Sequence, residues 1–326
     1  MGDAPGHALE NAEAWPLIGH TAAEQAFIEA FDTKRLHHGW MIEGPSGIGK
    51  SVLAYRIAAY VLGAQCASGT LQSSVSDPVA QKILAEAHPD LRWISRKPDE
   101  KGKLKQDISV DAIRGLTEFF ALKPALGGWR VGVIDSIDEL NRSGANALLK
   151  TLEEPPENSL LILISHRTQK VLPTIKSRCR MLRLDALSDA DTRAVLDGVD
   201  HDMARESTTL QLARGRPGYG LRLASPAGLA AANAARTYLR GLPKPSDAAV
   251  SDVLARGGVD EIAFEAFSHE VLNWLSEKSA ERPHYAGAWL AVSRHIASVS
   301  ELNMDRGQAT AKLAAILQGS IMNNTG

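Results

Sequence analysis

The chain has 326 residues, is 44% apolar and 23% charged, and carries a formal net charge of −2. This suits a globular protein of two or three domains and excludes a generally basic nucleic-acid coat, though it leaves room for a local basic patch. Two cysteines, Cys66 and Cys179, are too few for a disulfide framework or a four-cysteine zinc site and point to a reducing cytoplasm. The N-terminal stretch carries Asp3, Glu10 and Glu13 without an apolar core, so no signal peptide is expected, and no apolar run is long enough to cross a membrane.

Through the first half, apolar strand-like runs alternate with amphipathic helical stretches, which predicts a mostly parallel sheet with helices on both faces. Residues 21–33 have helical spacing, and residues 40–43 can form a short buried strand. Gly44-Pro45-Ser46-Gly47-Ile48-Gly49-Lys50-Ser51 follows at once and completes the pattern G-x-x-x-x-G-K-S. Such a loop brings successive backbone N–H groups around a polyphosphate without Cβ clashes. Lys50 would reach the terminal phosphates, and the Ser51 hydroxyl would take one Mg²⁺ position. Residues 50–61 continue as a helix, so the phosphates would meet a helix N-terminus. ATP with Mg²⁺ is the expected ligand, but a site for ATP is not yet an ATPase.

Further strands are expected at 91–94, 130–134 and 160–165, and helices at 109–120 and 143–154. The last of these helices has a cap at Asn141 or Ser143, an apolar stripe of Ala145, Leu148, Leu149 and Leu152, and a stop at Pro155-Pro156. Asp135 closes the run Arg130-Val131-Gly132-Val133-Ile134, where it can hold Mg²⁺ directly or through water bound to Ser51. The next residue is Ser136, whose neutral hydroxyl is a poor general base. The offset of Asp138 and Glu139 past the strand end directs them elsewhere, so binding is expected to be intact and hydrolysis impaired. Lys97, Lys101, Lys103 and Lys105 stand among Asp99 and Glu100 with no interleaved aromatics, which reads as a solvated connector. From about residue 187 onward the chain is expected to be helical, with Gly241-Leu242-Pro243-Lys244-Pro245 separating a last helical block. The six tryptophans, Trp15 among them, are assigned to core or subunit interface.

Several segments together resemble a known family. They are Leu36-His37-His38-Gly39-Trp40, His88-Pro89-Asp90, residues 107–114, Leu148-Leu149-Lys150-Thr151-Leu152-Glu153-Glu154-Pro155-Pro156 and Ser177-Arg178-Cys179. The chain is similar to the clamp-loader branch of the AAA+ ATPases, most closely its bacterial delta-prime members, densely over residues 15–184 and more loosely beyond. The resemblance implies an α/β AAA+ P-loop domain at residues 1–186, a small helical lid at 187–232 and a helical oligomerisation collar at 233–326. It also implies a subunit of the DNA polymerase III holoenzyme, in a cytoplasmic hetero-pentamer with gamma/tau and delta subunits that acts on a sliding clamp and primed DNA.

Site residues follow from the same resemblance. Arg178 matches an arginine finger supplied in trans to a neighbouring subunit's ATP, and becomes the catalytic candidate. Without the resemblance, Arg178 reads as part of a basic surface with Lys170, Lys176, Arg180 and Arg183. Ser165 falls at a γ-phosphate sensor, Arg222 near a lid arginine that touches phosphate in cis, and Ile18 and Gly19 where an adenine ring packs. The four-cysteine zinc module of many relatives is not matched, since residues 63–69 hold Cys66 alone, so no zinc is expected. Cys179 is expected to be a buried apolar side chain. The leading expectation is a structural subunit that helps load the clamp and lends Arg178 to its neighbour. A gamma/tau-like motor, hydrolysing ATP in cis through Lys50, Ser51 and Asp135, stays open. An unrelated P-loop kinase would leave the Ser-Arg-Cys motif unexplained.

Overall fold

The computed structural model of the chain describes residues 17–74, 76–98, 105, 107–166, 170–199, 207–302 and 304–322. Trp15 and the connector residues Asp99, Glu100, Lys101 and Lys103 lie outside the described residues. The described residues fall into two compact units, 17–199 with 215–218, and 207–214 with 219–322.

The first unit runs α1 (Thr21–Asp32), β1 (Gly39–Glu43), α2 (Lys50–Val61), α3 (Pro78–Leu84), β2 (Leu91–Ser95), α4 (Val110–Ala121) and β3 (Arg130–Asp135). It continues through a 3₁₀ turn (Ile137–Glu139) to α5 (Arg142–Glu153), β4 (Ser159–Ser165), α6 (Pro173–Lys176), β5 (Arg180–Arg183) and α7 (Asp189–Val199). The five strands are parallel in the order β2-β3-β4-β1-β5. β1 and β4 are buried along their whole length, as strands covered by helices on both faces must be. Their pleat sends alternate residues into two cores: Trp40 and Ile42 join Phe27, Leu53 and Ile162 on one face, and Met41 joins Ile113, Leu148 and Leu163 on the other.

Caps punctuate the helices. Asn141 is the cap of α5, its Oδ1 accepting from Gly144 N–H at 2.9 Å, which decides between the two candidates in the sequence. Strand β5 is an addition to the elements that the sequence predicts. Its four residues, Arg180-Met181-Leu182-Arg183, carry too short a pattern to separate from the basic stretch around Arg178, and only pairing with β1 defines it.

At the amino end of β3 a buried polar network fixes the loop after α4. Asp90 is fully buried and accepts from the backbone N–H groups of Ala125 (2.6 Å) and Leu126 (2.8 Å), with Arg130 Nε at 3.6 Å. Arg130 donates to the carbonyls of Phe119 (2.5 Å) and Lys123 (2.7 Å) and lies over the Phe119 ring. The His88-Pro89-Asp90 signature is therefore structural: it anchors the start of the strand that ends in Asp135.

The second unit contains α8 (Ser207–Ala213) and most of α9 (Pro217–Leu223), followed by α10 (Pro226–Gly241), α11 (Asp247–Arg256), α12 (Glu261–Glu281), α13 (Tyr285–Glu301) and α14 (Arg306–Met322). No strand occurs among its described residues. α12 packs against both α10 and α13, and α13 against α14, around Tyr238, Phe267, Leu275, Val292, Leu313 and Leu317. Among the described residues no helix is long and apolar enough to cross a membrane.

Truncating Asp90 would leave Arg130 buried without its counter-charge and two backbone N–H groups without acceptors. Asp90→Ala is expected to lower unfolding stability by about 3 kcal/mol or more, measured by urea denaturation.

Candidate functional site

The site is assembled at the carboxyl ends of β1, β3 and β4, where ligands of open α/β sheets bind. Strand pairing sets Glu43 opposite Ser165 and Asp135 opposite Ile164, so the ends of three strands stand in register. The loop Gly44–Ser51 leaves β1 in a conformation that glycine permits: φ is +151° at Gly44, +81° at Gly47 and +101° at Gly49. A Cβ on Gly44 would lie 2.3 Å from the Leu184 carbonyl oxygen, so no larger residue fits there. Gly49 is the N-cap of α2, and the first backbone N–H groups of that helix are left for a ligand.

Within the loop, Lys50 is buried, and its Nζ donates to the carbonyls of Gly44 (2.8 Å) and Pro45 (2.6 Å). The Ser51 hydroxyl donates to Asp135 Oδ2 at 2.9 Å, so the expected cation-holding pair is already together. Two further braces leave no signal in the sequence. His20 donates its Nε2–H to the Ile48 carbonyl at 2.9 Å, and burial pushes its pKa down, which keeps the ring neutral. Gly218 N–H donates to the Gly47 carbonyl at 2.9 Å. Beside the loop, Leu17, Ile18, Ile48, Val52, Leu187 and Val195 line a narrow apolar cleft. Gly19, at φ +81°, packs so closely on Leu187 that a Cβ would come within 2.6 Å of its Cδ2. Glycine loop, lysine, cation pair and apolar cleft fit a nucleotide with Mg²⁺.

The acidic residues after β3 correct the sequence reading. The 3₁₀ turn at Ile137–Glu139 folds Asp138 back to the strand ends instead of directing it away. Its Oδ1 accepts from the Ser165 hydroxyl at 2.7 Å, and its Oδ2 accepts from the Ser136 hydroxyl at 3.0 Å and from His166 N–H at 2.6 Å. Glu139 also stays close. Burial pushes its carboxyl up to about 7; the Arg96 guanidinium at 2.8 Å opposes the rise, and Asp135 and Asp138 add to it. His166 Nε2 lies 3.8 Å from Asp135 Oδ1.

The remaining expected residues are engaged by other partners. Arg178 follows α6, partly exposed, with Nη1 donating to the Thr174 carbonyl at 2.9 Å and Nη2 paired with Glu153 at 2.9 Å. Cys179 beside it packs on the core, and burial pushes its thiol up to about 12, so it is no nucleophile at neutral pH. Arg222 belongs to the second unit, where it forms a two-pronged ion pair with Glu265 and stands over the Tyr219 ring.

A family model described as DNA polymerase III, delta subunit, matches residues 19–188. The chain belongs to that family. Among curated relatives, DNA polymerase III subunit delta′ of Pseudomonas aeruginosa is 39% identical over 143 residues, 44% of this chain and 41% of that protein. Subunit delta′ of Escherichia coli K12 is 32% identical over 48% of this chain and 45% of its own length. DNA polymerase III subunit gamma of Buchnera aphidicola from Schizaphis graminum is 30% identical over 54% and 46%. The chain thus spans less than half the length of these relatives. Among solved structures, a DNA polymerase III gamma subunit-related protein of Thermotoga maritima superposes with a TM-score of 0.51 at 16% identity, covering 90% of this chain and 99% of that one. With the strand order, that likeness shows the expected α/β fold, a parallel sheet with flanking helices, followed by a helical C-terminal part.

The folded chain holds the Glu139 proton up to about pH 7, while the unfolded chain releases it near the ordinary value of 4.5. The unfolded state therefore binds fewer protons across that window, and this group's contribution to stability falls as pH rises through it. Glu139→Gln is expected to flatten the decline in melting temperature between about pH 5 and 7.5, measured by thermal denaturation at matched ionic strength.

Proposed function

We propose that the chain is a clamp-loader subunit of DNA polymerase III that binds ATP and Mg²⁺ and turns them over poorly. It acts mainly by position, within a hetero-pentamer with gamma/tau and delta subunits that loads the sliding clamp onto primed DNA. Bound nucleotide supplies phosphate charge and a labile anhydride. Lys50 would hold the phosphates, Ser51 and Asp135 the cation, and the cleft at Ile18 and Gly19 the base. The observation that carries the reading is the residue after Asp135. A water-activating group there must accept a proton, and Ser136 instead gives its own proton to Asp138.

In this reading the catalytic contribution goes to another chain. Arg178 is partly exposed just past a short helix, on a segment continuous with β5, and its planar fork suits a phosphate presented by a neighbour. The helices after residue 233 would form the collar that holds the subunits together, and the segment 187–232 would form the lid. A gamma/tau-like motor is the second reading, favoured by the complete loop and by the ready-made Ser51–Asp135 pair. Steady ATP turnover by the isolated chain, lost in Lys50→Ala, would favour the motor over the structural subunit.

Reconstitution with the gamma/tau and delta subunits tests Arg178 directly. Arg178→Ala is expected to slow hydrolysis at the neighbouring site by about ten-fold or more, with assembly on gel filtration unchanged. Arg178→Lys should recover little, because an ammonium lacks the two-pronged geometry. Unaltered clamp-stimulated hydrolysis in Arg178→Ala would remove the finger role.

A further inference from the structure

Strand β5 ends the sheet on the β1 side, and no strand pairs with its outer edge among the described residues. Leu184 N–H donates to the Glu43 carbonyl at 2.9 Å. Peptide groups alternate sides along a strand, so Leu182 also bonds toward β1, while Met181 and Arg183 direct their N–H and C=O groups outward. Such an edge is a template for a further strand. Space lies beside it. A groove of about 360 Å³ runs between the amino ends of β1 and β5 and the carboxyl half of α1, lined by Ala26, Ala30, Trp40, Arg180, Met181 and Leu182. The two alanines stand one turn apart on α1 and add little bulk on that side.

The groove is rimmed by cations that have no counter-ion. Arg178 is paired with Glu153 and Arg183 with Glu43, but Arg180 between them has no carboxylate partner among the described residues. Its guanidinium stands over the Trp40 ring, 5.7 Å from the centroid. Arg35, exposed beyond the end of α1, also lines the groove and also has no carboxylate partner among the described residues. Glu29 lines it with them and partly offsets their charge; its carbonyl accepts from the Thr33 hydroxyl at 2.6 Å. Arg180 is in register with Trp40, on the face of the sheet that α1 covers. A strand added outside β5 would set every second side chain on that face, beside these arginines. A second copy of β5 would bring its own arginines and be repelled, whereas an acidic strand would be drawn in.

We propose that this groove receives an extended acidic segment of a partner protein, which adds to the sheet as a further strand outside β5. Met181 and Arg183 supply backbone hydrogen bonds, and Arg180 and Arg35 select carboxylates at alternate positions of the segment. The groove lies at the amino ends of β1 and β5, away from the glycine loop at the carboxyl end of β1, so bound nucleotide has no part in it.

Calorimetric titration of the full chain with a short peptide of alternating valine and glutamate tests this, with a valine–lysine peptide as the control. The glutamate peptide is expected to bind with a dissociation constant of about 0.1 mM or lower, and the lysine peptide not to bind. Amide exchange followed by NMR should slow at Met181 and Arg183 in the complex and stay unchanged at Leu182, which already bonds to β1. Arg180→Ala and Arg35→Ala, both at exposed positions and checked for folding by thermal denaturation, should each weaken binding about five-fold or more. A glutamate peptide that does not saturate overturns the proposal, as does equal binding of the two peptides. So does undiminished binding in the folded Arg35→Ala/Arg180→Ala double variant. Binding with no slowing of exchange at Met181 and Arg183 overturns strand addition. Self-association of the full chain that Arg180→Glu abolishes, read by sedimentation, would assign the edge to a second copy and overturn the acidic partner.

Discussion

Everything at the candidate site depends on the parallel register of β1 against β4 and of β4 against β3. That register places Glu43 beside Ser165 and Asp135 beside Ile164, so the glycine loop, the acidic strand end and the polar strand end stand at the same edge of the sheet. A slip of one residue in any of these strands would turn its side chains to the opposite face. Asp135 would then lose Ser51, and the row of buried Leu and Ile side chains in β4 would exchange cores. The apolar run of β4, Leu160-Leu161-Ile162-Leu163-Ile164, could be packed in several ways by composition alone; the pairing with β1 and β3 selects one.

The parts of this arrangement set by local chemistry were legible in the sequence. The glycine loop, the apolar strand ending in Asp135, and the helix closed by Pro155-Pro156 each carry their own signal in residues that are adjacent in the chain. Strand β5 was not legible, because four residues with arginine at both ends acquire a strand identity only from a partner 140 positions away, as in Glu43 and Arg183. Asp138 escapes the sequence for a related reason. Counting offsets past Asp135 assumes that the chain runs on in one direction, whereas the 3₁₀ turn brings the third residue back. Arg178, Ser165 and Arg222 stand out by resemblance alone, and their surroundings differ: a carboxylate partner on its own chain for Arg178, the half-buried Asp138 carboxylate for Ser165, and Glu265 for Arg222.

Three carboxylates in the first unit show how partners, more than residue type, decide the role. Asp90 is wholly buried, with two backbone donors and a guanidinium nearby, and serves to hold a loop. Asp138 collects two hydroxyls and one backbone N–H at the site and so governs what those hydroxyls can do. Glu139 has one cation, Arg96, against burial and two neighbouring acids, and is left with a proton affinity near neutrality.

A loop that binds nucleotide without turning it over has a physical use of its own. A ligand that binds the folded chain alone stabilises it by RT ln(1 + [L]/Kd), about 2.7 kcal/mol at a hundred-fold excess, whether or not it is ever hydrolysed. That is comparable to the cost expected for losing the Asp90 network. It would act on the segment that joins β1, α2 and Gly218, since all three meet at the loop. Hydrolysis would add nothing to this effect. On the proposed reading, the nucleotide is a structural component of this subunit, and the chemistry of the assembly is left to sites that receive Arg178.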